Sequence, residues 1–392
     1  MRPLPFLPCI LVISILSGAC QQKNTLPVDR IASLSATQCS LMEQSLTEDT
    51  MPRSFQDGQI ILSETRWWCS GFFPGVCWYT YRIGGDPRMK EMALRQTAKL
   101  LDVNKLSKSH DLGFQVMPSS VEAYRETGDS LYLKTIYAAA EKLAARFSPV
   151  TGVIRSWDGP ASSFIVIIDN MMNLELLTWA ARQFNVPEWK EIAVTHARTT
   201  IRNHFREDGS CYHTIDYNPE DGSVVRRRTV QGYSDESAWS RGQAWALYGF
   251  TMMYRETGEE DFLEQAVRCA GYLLPKLKHR PVPSWDFDAP EESIDQDDAS
   301  AGAIMASAFL ELCTLTKDAK LSKLCYSQAI ATLNALCSEK YLAKPGELGG
   351  FLLKHSTGHY SKGSEIDAPL TYADYYFLEA LWRYKHYFAF PD

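Results

Sequence analysis

Tyr124-Arg-Glu-Thr-Gly128-Asp129 runs into Leu131-Tyr-Leu133, and Tyr254-Arg-Glu-Thr-Gly258-Glu259 runs into Phe262-Leu263. The same joint occurs twice, and each time a helical apolar pattern leads up to it and another leaves it. Gly ends the first helix because it takes a left-handed backbone without a Cβ penalty. The acidic residue after it suits the start of the next helix. Looser versions stand at Gly85-Asp86-Pro87 and Val186-Pro187-Glu188. A recurring helix–turn–helix unit means stacked helical hairpins.

Outward from these joints, apolar residues recur at three- and four-residue spacing over most of the chain from about Phe55. The spacing predicts helices over 89–101, 119–127, 130–147, 173–183, 189–204, 243–257, 261–274, 301–315, 322–336 and 373–383. Few segments alternate as strands do. Such hairpins build either an open solenoid or a closed toroid of inner and outer helices. The connections decide. Residues 148–168, 206–240, 278–299 and 341–372 are rich in Gly, Asp, Ser, His, Trp and Arg. A toroid gathers such segments at one mouth, and loops on a rigid scaffold are where function concentrates. The expected fold is all-α, an (α/α)6 toroid.

At 392 residues, 45% hydrophobic and 22% charged, the chain has the composition of a globular protein with a full core. A net charge of -7 argues against nucleic acid as a partner. It does not exclude a small anionic ligand, which needs only one or two placed cations. The N-terminus stands apart. Arg2 leads to an apolar run over 9–16, then Ser17-Gly18-Ala19-Cys20, the order of a secretory signal. A Cys directly after small residues resembles a bacterial lipoprotein site, with Cys20 as the lipidated first residue. Ser17 stands where Leu is usual, and an ordinary cleaved signal is the alternative. The expected organisation is a signal over 1–20, a polar tether over 21–45 and one catalytic domain over 46–392. The protein is expected to be exported and periplasmic, meeting the membrane only through Cys20. No later run is long and apolar enough to span a bilayer. The cysteines form no CxxC pair and no Cys/His cluster with metal spacing, so no metal and no particular disulfide is expected.

Certain residues carry chemistry. Asp111, in Ser109-His-Asp-Leu-Gly-Phe114, reads on its own first as a turn or capping acid. Asp169 follows Ile165-Val-Ile-Ile168 and opens the next helix, where it serves as a cap or as a catalyst. Apolar flanks point to a half-buried carboxyl, and burial raises its pKa. A second carboxylate nearby, such as Asp111, raises it further. The loop from Thr229 to Ser240 holds more hydrogen-bonding groups than a linker needs. Trp245 lies one turn beyond Arg241, so both face one side. An Arg fork binds carboxylate and an indole face packs on a sugar ring; the alternative is a surface Arg and a core Trp, most of all for Trp239. Trp67 to Gly75 puts aromatics beside Gly turns, which suits a binding rim, with core packing as the alternative. Arg226-Arg-Arg228 reads as a solvated edge.

Four pieces taken together resemble glycoside hydrolase family 88. They are Trp68-x-Ser-Gly-Phe-Phe-Pro-Gly75, His110-Asp-x-Gly-Phe114, Asp169-Asn-Met-Met-Asn173 and Gln231-Gly-Tyr-x-Asp-Glu-Ser-x-Trp-x-Arg-Gly-Gln-Ala-Trp245. Gly363-Ser-Glu-Ile-Asp-Ala-Pro369 and Tyr372 to Ala380 add to the likeness, which covers roughly residues 50 to 385. The resemblance implies an unsaturated glucuronyl hydrolase, which removes a 4,5-unsaturated uronate from lyase-generated glycosaminoglycan di- or oligosaccharides without a cofactor. It implies Asp169 as general acid/base and Asp111 as assisting carboxylate. Trp68, His213, Thr229, Gln231, Arg241 and Trp245 match pocket-lining positions. Ser109 stands where some members carry His, and Arg227 where some carry Gly in a loop that reads sulfation. The alternatives are an unsaturated rhamnogalacturonyl hydrolase, or a non-catalytic, lipid-anchored glycan-binding protein built from helical repeats.

Overall fold

The structure, a computed structural model, describes residues 26–106, 109–160 and 162–388. The signal and Cys20 lie outside the described residues. Its helices are α1 (Val28–Glu43), α2 (Phe72–Gly84), α3 (Pro87–Ala98), the short α4 (Val103–Leu106), α5 (Leu112–Val116), α6 (Glu122–Thr127), α7 (Leu131–Ala144), α8 (Asn170–Phe184), α9 (Pro187–His204), α10 (Ser240–Thr257), α11 (Glu260–Leu277), α12 (Ala299–Leu315), α13 (Ala319–Leu336) and α14 (Thr371–Tyr387). A π turn, Met117–Val121, joins α5 to α6 into one rod. Pro118 accounts for it: proline gives no N–H to the ladder and crowds the carbonyl four residues back.

The rods alternate between two rings. The inner ring runs α2, α5–α6, α8, α10, α12, α14, and α14 packs back on α2 to close it. The outer helices α3, α7, α9, α11, α13 and α1 back it. This is the expected (α/α)6 toroid. The joints read from sequence hold. Gly128 and Gly258 have φ of 70° and 72°, and their N–H groups donate to Tyr124 O and Tyr254 O, both at 2.8 Å. Gly85 makes the same turn onto Tyr81 O.

Two expectations are corrected. Residues 28–43 are no tether: α1 packs in the outer ring chiefly against α2, and Ile31, Ser35, Gln38, Cys39 and Met42 are buried. Its buried face is part polar because those groups are paired. Ser35 and Thr80 share a hydroxyl bond of 2.6 Å, and the Gln38 amide donates to Phe351 O at 2.8 Å. The second correction concerns Phe72 and Phe73. They open α2 and are buried in the core, so of this stretch's aromatics Trp67 and Trp68 are left to the rim.

The two ends of the toroid differ. Inner-to-outer joints are short, and their arginines close one end. Arg255 donates to Glu311 (2.7 Å) and Glu175 (2.6 Å), and Arg125 to Glu122 (2.7 Å). Arg82 donates to Glu126 (2.6 Å), while Tyr79 and Tyr248 donate to Glu379. Outer-to-inner connections are long and gather at the other end. They include two hairpin strands, β1 (Thr50–Gln56) and β2 (Gln59–Glu64), and a small pair, β3 (Phe147–Ser148) with β4 (Val153–Ile154). They also hold an antiparallel sheet of β5 (Phe164–Ile167), β6 (Thr214–Tyr217) and β7 (Val224–Arg228). These short strands are what the helical reading passed over.

Candidate active site

Sheet and helix together place Asp169. Ile167 pairs with Thr214, and Ile168 N–H donates to His213 O at 2.9 Å, which sets His213 beside Asp169. The next residue starts α8. Asp111 arrives from the neighbouring inner rod. Gly113 makes this approach possible: a Cβ there would lie 2.5 Å from Asn173 Cα. The Asn173 carboxamide oxygen accepts the Phe114 N–H at 3.0 Å and pins α5 to α8. Both carboxylates line one cavity of about 230 Å3, roomy enough for one sugar ring.

Neither carboxylate acts as a helix cap through its side chain, although both stand at N-cap positions. Asp111 accepts a 2.5 Å bond from the Ser109 hydroxyl, and His110 Nε2 lies 3.3 Å from its other oxygen. Asp169 is 8% exposed, and its Oδ2 has no hydrogen-bond partner among the described residues. Burial pushes its pKa up to about 7. The Arg241 guanidinium and the Trp245 indole pull it down, and the Asp111 charge adds to the rise. A carboxyl so held exchanges its proton near neutral pH.

His213 is locked in one tautomer. Its Nδ1 accepts N–H bonds from Val230 (3.1 Å) and Gln231 (3.2 Å), so Nδ1 carries no proton and the neutral ring keeps its proton on Nε2. Nε2 faces Asp169 Oδ2 at 3.8 Å. Burial and the nearby Arg241 charge hold His213 well below the ordinary histidine range. Asp169 therefore faces a neutral donor rather than an imidazolium.

Of the residues expected to line the pocket, Trp68, Gln231 and Arg241 do so. His213 stands just behind Asp169. Thr229 positions the loop: its hydroxyl accepts from Gly232 N–H at 2.8 Å. Trp245 is fully buried, with Phe114 and Tyr376 against its ring, so no sugar can pack on it. It faces the site through its N–H. Arg241 also differs from expectation. Its Nη1 donates to Asp298 (2.9 Å) and Thr357 O (2.6 Å), and its Nη2 to Gln231 (2.8 Å) and Gly358 O (2.6 Å). The fork is spent on protein, and Arg241 fastens the 355–368 loop to the Gln231 loop. The other lining residues include Arg53, Trp157, His359, Lys362, Glu365 and Tyr372. Glu365 and Tyr372 lie in stretches the family likeness contained, and Trp157 in a loop noted for its composition. Arg53 gave no signal. Burial, with Lys362 and Arg241 nearby, lowers His359 to about 4. Arg53, Trp67, Trp68, Asp111 and Trp157 also border an outer cavity of about 670 Å3, so the two form one cleft.

A helical toroid whose mouth sets a proton-holding carboxyl beside a second carboxylate and aromatic walls defines a sugar-processing hydrolase. Comparisons with known proteins narrow this. Residues 43–271 match the model of Glycosyl Hydrolase Family 88. An unsaturated glucuronyl hydrolase of Formosa agariphila is 38% identical, covering 98% of each chain. A solved unsaturated glucuronyl hydrolase specific for heparin is 45% identical, with a TM-score of 0.87 over 92% of this chain and 97% of that one. A variant enzyme solved with dGlcA-Glc-Rha-Glc is 30% identical, with a TM-score of 0.85 over 92% and 96%. The chain belongs to glycosyl hydrolase family 88 and is a glycosidase of the unsaturated glucuronyl hydrolase type.

Proposed function

We propose that the enzyme removes the terminal 4,5-unsaturated uronate from lyase-generated glycosaminoglycan fragments by hydrating the C4=C5 bond, with Asp169 as acid and then base. The observation that carries this is Asp169 itself: buried, not spent as a cap, and lining a one-sugar cavity, where burial pushes its pKa up to about 7. Asp169 gives its proton to C4, and the π electrons form the new C–H bond. Positive charge falls on C5 and the ring oxygen. Water adds at C5 while the Asp169 carboxylate takes one of its protons, which restores the acid. The hemiketal opens to a ketone, which frees C1 to expel the linked sugar as an alcohol. The anomeric carbon is never attacked, so the paired-carboxylate spacing of ordinary glycosidases does not apply. Asp111 raises the proton affinity of Asp169. His213 and Trp245 fix its orientation, Thr229 and Gln231 hold the loop around His213, Arg241 fixes the mouth, and Trp68 walls the pocket.

The heparin specificity of the 45% identical structure supports a heparin-derived fragment as the first substrate to offer. Unsaturated disaccharides from heparin, chondroitin and hyaluronan, tested side by side, should lose the ultraviolet absorbance of the C=C bond. Cleavage with that absorbance intact would sink the hydration mechanism, and turnover only of uronides from other polymers would sink the substrate class. We further propose export to the periplasm with a lipid on Cys20, supported by the basic, apolar and small-residue order of the first twenty residues.

A further inference from the structure

Arg241 is one candidate that the sequence offers for the substrate carboxylate, beside polar groups of the late loops, yet its four Nη hydrogens already point at protein acceptors. Among the described residues lining the inner cavity, Lys362 is an exposed side chain on the Tyr360–Lys362 turn. Arg53 is different. It lies where inner and outer cavities meet, half-buried, with its guanidinium 5.0 Å from the Trp67 ring. Its Nε donates to Glu365 at 2.6 Å, and its Nη edge makes no hydrogen bond to protein among the described residues.

Three features of the fold converge on that geometry. First, Arg53 is the extra residue of a β-bulge. Pro52 pairs with Leu62 and Ser54 with Ile61, which leaves Arg53 without a partner on β2. Bulges re-aim side chains beside active sites. Second, Ser54 bridges to Leu370, the residue before α14, so the bulged strand is tied to the inner ring. Third, Glu365 has a φ of 57°, a conformation a non-glycine residue rarely adopts. Its carboxylate packs where a Cβ on Gly358 would stand 2.6 Å from Oε2, so only glycine fits opposite it. The protein thus uses a bulge, a strained residue and a glycine cradle to hold, at the lining of the cleft, one guanidinium bonded to protein through Nε alone among the described residues.

We propose that Arg53 is the cation that receives the uronate carboxylate of the substrate, with Glu365 as its positioning residue. The inference rests on the activity proposed above and deepens it. An Arg Nη edge offers parallel donors that match a planar carboxylate. In an unsaturated uronate the carboxylate is conjugated with C4=C5 and lies in the plane of the reacting carbons. Clamping it orients C4 toward Asp169. A guanidinium near C5 does not favour the cation that forms there, so the contribution is to binding more than to the chemical step.

The test sets the charge of the protein group against the charge of the substrate group. An unsaturated disaccharide and its uronate methyl ester are compared in wild type, Arg53→Gln and Arg53→Lys by loss of C=C absorbance. For the acid, Arg53→Gln should lose about 10–100-fold in kcat/KM, the range of charge-assisted hydrogen bonds, chiefly through KM. For the ester the loss should be several-fold smaller, so the preference for acid over ester falls. An equal loss on both substrates overturns the proposal. A loss that instead follows a sulfate on the second sugar, tested with sulfated and unsulfated disaccharides, overturns it too. If Arg53→Gln does not fold, the ratio is read on Arg53→Lys, where an unchanged acid preference overturns the proposal. The reading of the reaction fails separately, when wild type shows no absorbance loss on any unsaturated uronide.

Discussion

Replacing Asp169 with Asn should make the protein more stable and nearly inactive, and the two effects have one cause. Burial pushes the carboxyl up from an ordinary value of 3.8 to about 7 in the fold. Below about pH 4 folded and unfolded chains are both protonated at this site, and it contributes nothing. Between about 4 and 7 the unfolded chain releases the proton and the folded chain keeps it, so stability falls as pH rises. Above 7 the full cost is present, a few kcal/mol as an order of magnitude. Asn carries no such cost. Asp169→Asn should therefore unfold at a higher Tm than wild type near pH 8 and at about the same Tm near pH 4. Turnover should fall by roughly 10²–10⁴-fold, the contribution of a positioned acid/base, or more if both proton steps use it as proposed. Wild-type kcat should itself decline as pH rises through about 7, because the acid form is lost. The assay is thermal unfolding and initial rate on the same sample at both pH values. A residue that served only as a helix cap predicts the reverse, a loss of about 1 kcal/mol with activity per folded molecule intact. Near-normal turnover, or a variant less stable near pH 8, would refute the reasoning.

Further outcomes follow from the same contacts. Asp111→Asn removes a like charge that raises the Asp169 pKa, so the pH–rate profile should move toward acid; a shift toward base contradicts the pairing. Glu311→Ala strips Arg255 and Arg383 of a buried partner at the closed end and should cost about 3–5 kcal/mol in denaturant unfolding, with kcat per folded molecule unchanged. Ile31→Ala in α1 should cost about 2–5 kcal/mol, a loss that residues 28–43 acting as a loose tether would not show. Cys20→Ala should release the protein from the membrane fraction, and unchanged association would end the lipid-anchor proposal.

Much of the fold was legible because the toroid is built from local signals. A joint such as Tyr124 to Asp129 fixes where one helix stops and the next begins, and Gly128 and Gly258 behave as their sequence demands. α1 escaped because hydropathy cannot see a buried face made of Ser35, Gln38 and Cys39, whose burial depends on partners some 45 and 313 positions away. Asp169 drew attention because an acid after four β-branched residues is locally odd, whereas Asp111, in an ordinary Gly-containing turn after His110, stood out only through the family likeness. Arg53 was not. Its position depends on a bulge that exists only once β1 pairs with β2, and on Glu365, which lies 312 positions away.

The same contrast separates the two arginines of the cleft. From sequence, an arginine one turn before a tryptophan beside a polar loop has the look of a carboxylate clamp. Whether its donors are free is decided by Asp298, Thr357 and Gly358, none of which is near it in the chain. An arginine this buried must have its charge and donors met by the protein, or the fold would carry an unpaired buried cation. An arginine that meets the ligand needs the opposite: enough fixed contact to hold its plane, and an edge left open. Burial thus predicts which role each arginine takes. Arg241, 2% exposed, is bound on both Nη atoms, and Arg53, with a side chain 30% exposed, is held through Nε alone. On this reasoning the two arginines are not interchangeable. Arg241→Lys should disturb the mouth loops and weaken acid and ester substrates alike, whereas Arg53→Lys should discriminate between them. Identical patterns in the two variants would show that neither contacts the carboxylate through a free edge.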